Sequence, residues 1–310
     1  MTEHKPPSDA VNSLLTNIVN IRQSPEDREL AFTMRELVHC TLPYRDPGDI
    51  SVWRRQNGNL FLGIRPGVDL QTTKTLGIPY GSIPRLLLFW LTTEAVRNKS
   101  RRIELGRSYS DFVEKVGLSV STGRGARGDA TRLRNQMTRL FCASIQFQQH
   151  QNVDGVSGFG WRGFEVSAGG QLWWDPKTPD QLAIFTSWVE LGEHFYAMAT
   201  KAPVPVDLRA LKALKHSPLA LDLYVWTSYK SFIAARSGRP QTITWRDFML
   251  QFGTEYTNPK NFQQAVVGKL KVIQQLYPEL RIDEFRGGLT ILPTSRPAIP
   301  LQDPDKIGQL

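Results

Sequence analysis

The stretch Asp111–Gly117, DFVEKVG, decides the fold, because its pattern returns 136 residues later in Asp247–Gly253, DFMLQFG. Each stretch is typical of a short helix that ends at a glycine, and we expect Ser110 and Thr244 to cap the two helices. An apolar helix and a short extended piece precede each stretch, and a loop, a second helix and strands follow it. The same order of elements therefore occurs twice. The alternative is that a helical protein shows this short pattern twice by chance.

The apolar spacing and the turn signals place the remaining elements. The predicted helices and strands are, around the first stretch, Ser82 to about Asn98, Arg102–Leu105 and about Asp129 to Phe141, and, around the second, 218–235, Thr242–Thr244 and Pro259 to about Tyr277. Hairpins are predicted at Asn57-Gly58 and Arg286-Gly287-Gly288, a helix over 25–38 and an extended linker over 201–206, KAPVPV. Helix, strand, helix, turn, helix and hairpin is the element order of a winged helix-turn-helix domain.

The predicted fold class is therefore α+β, mainly α, with tandem winged helix-turn-helix domains that carry β-hairpin wings. The predicted divisions are a polar N-terminal segment (1–27), a first winged-helix domain with extra β-hairpins (28–200), a second winged-helix domain (201–293) and a disordered tail (294–310). The extra hairpins are the candidates for contacts in a dimer.

The helix after each turn has one apolar face and one basic or polar face. Arginine pairs with guanine, asparagine and glutamine pair with adenine, and lysine and threonine hold phosphates. The predicted DNA-contacting residues are Arg124, Arg127, Thr131, Arg132, Arg134, Asn135, Thr138 and Arg139 at the first helix and Lys260, Asn261, Gln264, Lys271, Gln275, Arg281 and Arg286 at the second helix and its hairpin. The alternative for each helix is an ordinary solvated face.

The charge balance favours an anionic partner, since the 310 residues carry a formal charge of +9. Residues 82–150 hold twelve Lys and Arg against five Asp and Glu, and residues 201–292 hold thirteen against seven. Nucleic acid is the commonest such partner and an acidic lipid surface the second. With two cysteines, no secretion signal and no apolar run long enough to span a bilayer, we expect a soluble protein of a reducing cytoplasm with no membrane contact.

Catalytic and cofactor chemistry find weak support in the sequence. Gly123–Gly128, GRGARG, has the glycine spacing of a dinucleotide site, but it lacks the buried strand before it and the acid after it. No phosphate-binding loop of the ATPase type occurs, and the five histidines are scattered. Glu190 with Glu193-His194 reads more simply as surface residues than as an acid/base pair. We therefore expect no catalytic residue, no metal and no cofactor.

Four tryptophans leave a choice open. They are Trp161, Trp173, Trp174 and Trp188. Such side chains stack on unpaired bases in some proteins, but core or interface packing is the commoner role.

One block resembles a known family. It comprises Pro79–Leu88, Thr92–Val96 and Leu105–Ser108, leading to Phe112 and Gly117-Leu118, with the arginine-rich helix 129–141 after it. Together these residues resemble plasmid replication initiators of the RepA C-terminal type, over roughly residues 28–293.

The resemblance implies a sequence-specific protein that binds repeated sites in double-stranded plasmid origin DNA, promotes origin opening and takes part in plasmid copy control. It also implies host partners, namely a helicase and an initiator, and a homodimer in equilibrium with a monomer. A winged-helix transcriptional repressor and an origin-nicking replication enzyme remain as alternatives.

Overall fold

The computed structural model describes residues 9–118, 129–154, 156–173, 186–253 and 255–299. In these ranges the chain is a mixed α/β protein with small antiparallel sheets. The helices are α1 (Asp9–Gln23), α2 (Arg35–His39), α3 (Ser82–Asn98), α4 (Tyr109–Lys115), α5 (Asp129–Phe141), α6 (Glu193–Lys201), α7 (Leu208–Leu214), α8 (Pro218–Ser237), α9 (Trp245–Phe252) and α10 (Pro259–Leu276). The strands are β1 (Leu30–Met34), β2 (Trp53–Asn57), β3 (Leu60–Arg65), β4 (Arg102–Gly106), β5 (Ser144–Val153), β6 (Val156–Glu165), β7 (Ser167–Gln171), β8 (Ser187–Leu191), β9 (Pro203–Asp207), β10 (Gln241–Thr244), β11 (Ile282–Phe285) and β12 (Gly288–Ile291).

The second unit, α8 to β12, follows the predicted order of elements. Caps start its helices, because the side chains of Ser217, Thr244 and Asn258 each accept a hydrogen bond from a backbone N–H in the first turn. Its sheet has the order β10-β12-β11, so the last strand of the unit lies between the first and the middle one.

The first unit, α3 to β8, repeats that order with an insertion. Its sheet is β4-β8-β7, which again places the last strand between the first and the middle one. The strands that directly follow α5 do not join this sheet. Strands β5 and β6 instead pair with the hairpin β2–β3 in a separate sheet of order β2-β3-β5-β6. The sequence pattern predicts that strands follow this helix, but it does not predict that they are divided between two sheets.

The four-stranded sheet has one buried face, formed by Leu62, Ile64, Ile145, Phe147 and Phe164. The hairpin predicted at Asn57-Gly58 is present, but its two turn residues are 58 and 59, because Asn57 pairs with Leu60. The amide of Asn57 donates to the His39 carbonyl at 2.9 Å, which holds Asn57 in the strand.

A glycine ends the repeated pattern in both units, but the physical reason why glycine is favoured differs between the two positions. Gly117 has a φ of +80°, the left-handed conformation that a side chain disfavours. Gly253 has a φ of −104° and sits between two helices instead. A Cβ there would lie 2.8 Å from Met249 Cγ and 2.9 Å from Phe262 Cδ2, so α9 and α10 could not pack as closely.

Two predictions around the domain boundary are wrong. Residues 30–34, expected to be helical, form β1, and residues 203–207, expected to be a linker, form β9. The two strands pair with each other, so each satisfies the backbone of a segment far away in the chain. Thr93 on α3 also accepts a hydrogen bond from the Phe32 N–H. The local sequence of neither segment predicts this pairing.

Two smaller predictions also need correction. Ser108, and not Ser110, caps α4, because the Ser108 hydroxyl accepts from the Asp111 N–H at 3.0 Å. The predicted disordered tail is wrong for residues 294–299, where Ser295 is buried and its hydroxyl accepts from the Arg281 N–H. The Tyr277 hydroxyl donates to the Arg296 carbonyl. The rest of that tail, 300–310, lies outside the described residues.

The segment Leu42–Arg45 joins the two units. Arg85 on α3 pairs with Asp222 on α8 at 2.8 Å and also donates to the Leu42 carbonyl. In the turn between α9 and α10, the carboxylate of Glu255 accepts from the backbone N–H groups of Tyr44 and Arg45. These contacts therefore hold α3 of the first unit, α8 of the second unit and the turn before α10 against the same segment.

Candidate nucleic-acid interface

Helix α5 presents the polar face that its sequence predicts. Leu133, Met137 and Leu140 are buried. The exposed residues are Thr131, Arg132, Arg134 and Asn135. Predicted contacts Arg124 and Arg127 lie outside the described residues.

Arg139 is engaged within the protein. Its Nε donates to Asn135 Oδ1 at 2.8 Å, and its Nη1 donates to Asp46 and to the Ile78 carbonyl, both at 3.2 Å. The guanidinium also lies over the Tyr80 ring, 5.2 Å from its centroid. Only 16% of the side chain is exposed. These contacts orient Asn135 and hold the end of α5 against the loop before α3, a role that helical periodicity does not show.

A cleft of roughly 420 Å³ lies beside the polar face of α5. Arg132, Asn135 and Gln136 line one side, and Lys215 and His216, in the turn between α7 and α8, line another. No acidic residue is among its lining residues in the described part of the chain. The sequence analysis missed Lys215 and His216, since they belong to neither of the two helices predicted to contact DNA and only the fold brings them here.

Tyr44 also lines this cleft, at the point where the segment Leu42–Arg45 runs between the units. Burial raises the pKa of its hydroxyl, and the nearby Asp222 carboxylate raises it further. A tyrosine hydroxyl with its ordinary pKa of about 10 is already neutral at physiological pH, so Tyr44 adds no negative charge to the cleft.

Helix α10 also presents the predicted face. Phe262, Val266, Leu270 and Ile273 are buried. The predicted residues Lys260, Asn261, Gln264, Lys271 and Gln275 are exposed. Gln275 has a partner within the chain, because Arg22 on α1 donates to its side-chain oxygen at 2.6 Å and to its carbonyl at 3.0 Å. Helix α1 thus contacts the C-terminal end of this face.

The hairpin after α10 places two predicted arginines at the surface. Arg286 is exposed in the turn between β11 and β12. Arg281 is exposed just before β11, and its guanidinium donates to the carbonyls of Pro278 and Leu280. The Phe285 ring beside Arg286 is 46% exposed.

Residues 78–247 match the family model described as plasmid encoded RepA protein. The chain belongs to this family of plasmid replication initiators. The matched range of this RepA-family protein covers the first unit and α8, and it ends in α9. Helix α10 and its hairpin lie beyond it.

The RepA-family chain is also similar to solved structures of RctB. A selenomethionine crystal structure of RctB domains 2 and 3 is 13% identical, with a TM-score of 0.47, over 80% of this chain and 93% of that one. A second crystal structure of RctB domains 2–3 is 10% identical, with a TM-score of 0.41, over 80% of this chain and 92% of that one. No curated protein sequence matches the chain.

In the described ranges, no helix is long and apolar enough to cross a membrane. These ranges also contain no group of three or more His, Cys, Asp or Glu side chains arranged to hold a metal ion.

Proposed function

We propose that this RepA-family protein initiates plasmid replication by binding double-stranded origin DNA through α5 and α10, and that it catalyses no step itself. The two units act as tandem winged helix-turn-helix modules. In such modules the helix after the turn enters the major groove and the hairpin approaches the backbone.

One observation carries the proposal: the same topology occurs twice, with an exposed polar helix at the same place in each unit. Both three-stranded sheets have the order first, last, middle, and in both a capped short helix precedes the exposed helix. If α5 and α10 were ordinary solvated helices, there would be no reason for both to follow the same sheet order and the same capped short helix. The repeated arrangement supports a role for α5 and α10 as a pair.

The two helices contribute different chemistry. On α5, Arg134 suits a guanine edge and Asn135 an adenine edge, while the cleft residues Lys215 and His216 suit phosphate. The face of α10 has more glutamine and lysine and fewer arginines. We therefore expect α5 to carry the larger share of the binding energy.

A binding experiment with the full chain tests the interface. The DNA that flanks the gene is footprinted first, and the protected site is then used in titrations at several salt concentrations. Arg134→Ala is expected to weaken binding by about 1–3 kcal/mol and to relax specificity at one base pair. Arg236→Ala serves as the control, since Arg236 is exposed in the last turn of α8 and belongs to neither α5 nor α10. Equal affinities of the two variants would contradict the proposal.

The step from DNA binding to initiation needs a separate experiment. A plasmid that carries the origin but lacks this gene is expected to replicate only when the protein is supplied in trans. Replication without the protein would favour the repressor alternative, because a repressor binds DNA without being needed for its copying. Incubation with supercoiled origin DNA and Mg²⁺ is expected to leave the DNA unnicked, whereas a covalent protein–DNA adduct would favour the nicking enzyme.

We also propose that the extra hairpins make the contacts of a homodimer. Strand β6 is an edge of its sheet, it is ten residues long, and no lysine or proline interrupts it. A Cβ on Gly158 or Gly160 would meet nothing closer than 3.8 Å, so lysine fits at both positions. The double variant Gly158→Lys/Gly160→Lys is expected to sediment as a monomer at concentrations where the natural chain is a dimer. An unchanged dimer would remove β6 from the interface.

A further inference from the structure

The four-stranded sheet β2-β3-β5-β6 has a second face that the proposed duplex contacts leave unused. Strand alternation places Phe61, His150, Phe159 and Trp161 together on this face, opposite the buried one. Phe159 is 51% exposed and Trp161 is 67% exposed. Neither ring belongs to the core, so the packing role that is commonest for tryptophan does not apply to Trp161.

The four rings form one continuous row across three strands. The rings of Phe159 and Trp161 are stacked, with centroids 5.5 Å apart and planes 25° apart. His150 lies 5.1 Å from Phe159, and Phe61 meets His150 edge-on at 5.5 Å. Exposed π-faces held this way by neighbouring strands offer a preformed surface for another flat, apolar ring.

The polar residues around the rings suit an anionic ligand. The register places Arg54, Arg65 and three glutamines on the same face, with Glu165 as the acid at one end. The glutamines are Gln56, Gln146 and Gln148. Amides can donate to or accept from base edges, while arginines attract phosphate. This face thus combines the three kinds of group that bind a nucleotide strand. They are rings that stack on bases, amides that pair with base edges and positive charges that attract phosphate.

We propose that this aromatic face binds single-stranded nucleic acid by stacking unpaired bases on Phe159 and Trp161. A duplex cannot use such a surface, because its bases already stack on each other and only their edges are accessible. Exposed aromatics on a four-stranded sheet hold two or three bases in this way in other single-strand binders. The proposal adds a second nucleic-acid site to the proposed duplex interface and does not rest on it.

Anisotropy titrations with a labelled strand of about 12 thymidines test the proposal. Phe159→Ala and Trp161→Ala are each expected to lower the affinity about 5- to 150-fold, and the double variant more than either. Both side chains are exposed, so the variants should keep the circular dichroism spectrum and the melting temperature of the natural chain. An abasic strand of the same length keeps the charge but lacks the bases, and it is expected to bind as weakly to the natural chain as the thymidine strand binds to the double variant.

Three further variants separate stacking from its rivals. Trp173→Ala removes an exposed tryptophan outside this face and should leave the affinity unchanged. Trp161→Phe should retain most of the binding, whereas Trp161→Leu, which keeps apolar area but loses the π-face, should lose it. A strand of uridines in place of thymidines compares RNA with DNA at the same site.

Several outcomes would overturn the proposal. They are an unchanged affinity in the double variant, equal binding of the abasic strand, or full binding by Trp161→Leu. Duplex origin DNA is titrated in parallel. A double variant that binds duplex normally but no longer binds the single strand shows that the two sites are distinct. A chain that binds the single strand but no duplex would refute the proposed function alone.

Discussion

Asp222→Ala is expected to lower the free energy of unfolding by about 3–5 kcal/mol, because it leaves a buried guanidinium without its counter-ion. The side chains of Arg85 and Asp222 are 3% and 5% exposed. Arg85 Nε donates to one carboxylate oxygen at 2.8 Å and Nη2 to the other at 2.9 Å. The carbonyls of Leu42, Pro43 and Gly81 also accept from Arg85, so the guanidinium is held in place and cannot turn toward water. The loss is a large part of the roughly 5–15 kcal/mol that stabilises a folded domain.

An exposed ion pair of the same length provides the control. Lys212 Nζ and Glu29 Oε2 are also 2.8 Å apart, but their side chains are 41% and 50% exposed. Glu29→Ala is therefore expected to cost less than about 1 kcal/mol. Urea unfolding followed by tryptophan fluorescence gives both values. If Asp222→Ala costs no more than Glu29→Ala, then the pair does not stabilise the joint between the units and the reasoning from burial is refuted.

Three further predictions concern pH, packing and the interface. Burial lowers the pKa of His39 to about 4 in the folded chain, whereas in the unfolded chain it is about 6.5. Between these two pH values the unfolded chain binds a proton at His39 and the folded chain does not. Stability should fall from pH 6.5 to pH 4 by at most about 3 kcal/mol, and His39→Phe should flatten that slope in urea titrations. Gly253→Ala should cost about 1–3 kcal/mol by overpacking two helices, whereas Gly117→Ala should cost about 1 kcal/mol through its backbone conformation alone, as thermal melts can compare. Arg139→Ala should lower the free energy of unfolding by about 1–3 kcal/mol and leave the salt dependence of DNA binding unchanged. A weaker salt dependence would mean that Arg139 contacts phosphate, which we expect instead of a surface cation such as Lys271.

The sequence predicts the elements whose signals are local. Helix α5 begins and ends where its apolar spacing and flanking residues place it, and Thr244 caps α9 as expected. The exposure of Arg134 and the burial of Leu133 follow from the same spacing. A periodic pattern specifies a helix and its inward face without reference to the rest of the chain.

Long-range contacts explain what the sequence does not predict. Strands β1 and β9 pair with each other although the whole first unit lies between them in the chain. Each strand is stabilised by its distant partner, so the local sequence of either segment is not enough to predict a strand there. Lys215 joins the cleft beside α5 through the packing of α7 and α8, and Arg139 leaves the exposed set because Asp46 and Tyr80 come from distant segments. Helical periodicity predicts which face of the helix a side chain lies on, but not which distant residues that side chain contacts.

The block that resembles the family most closely contributes mainly to the joint between the units. Within 79–88, the Tyr80 N–H donates to Gln136, the Gly81 N–H donates to Pro43, and Arg85 pairs with Asp222. The family match reaches α9 but stops before α10. The match therefore includes α5, the first of the two helices proposed to contact DNA, but not α10, the second. On the proposed function, weakening the joint between the units through Asp222→Ala should impair binding to a complete site more than binding to the half-site of either helix, because only the complete site requires both helices in a fixed relation.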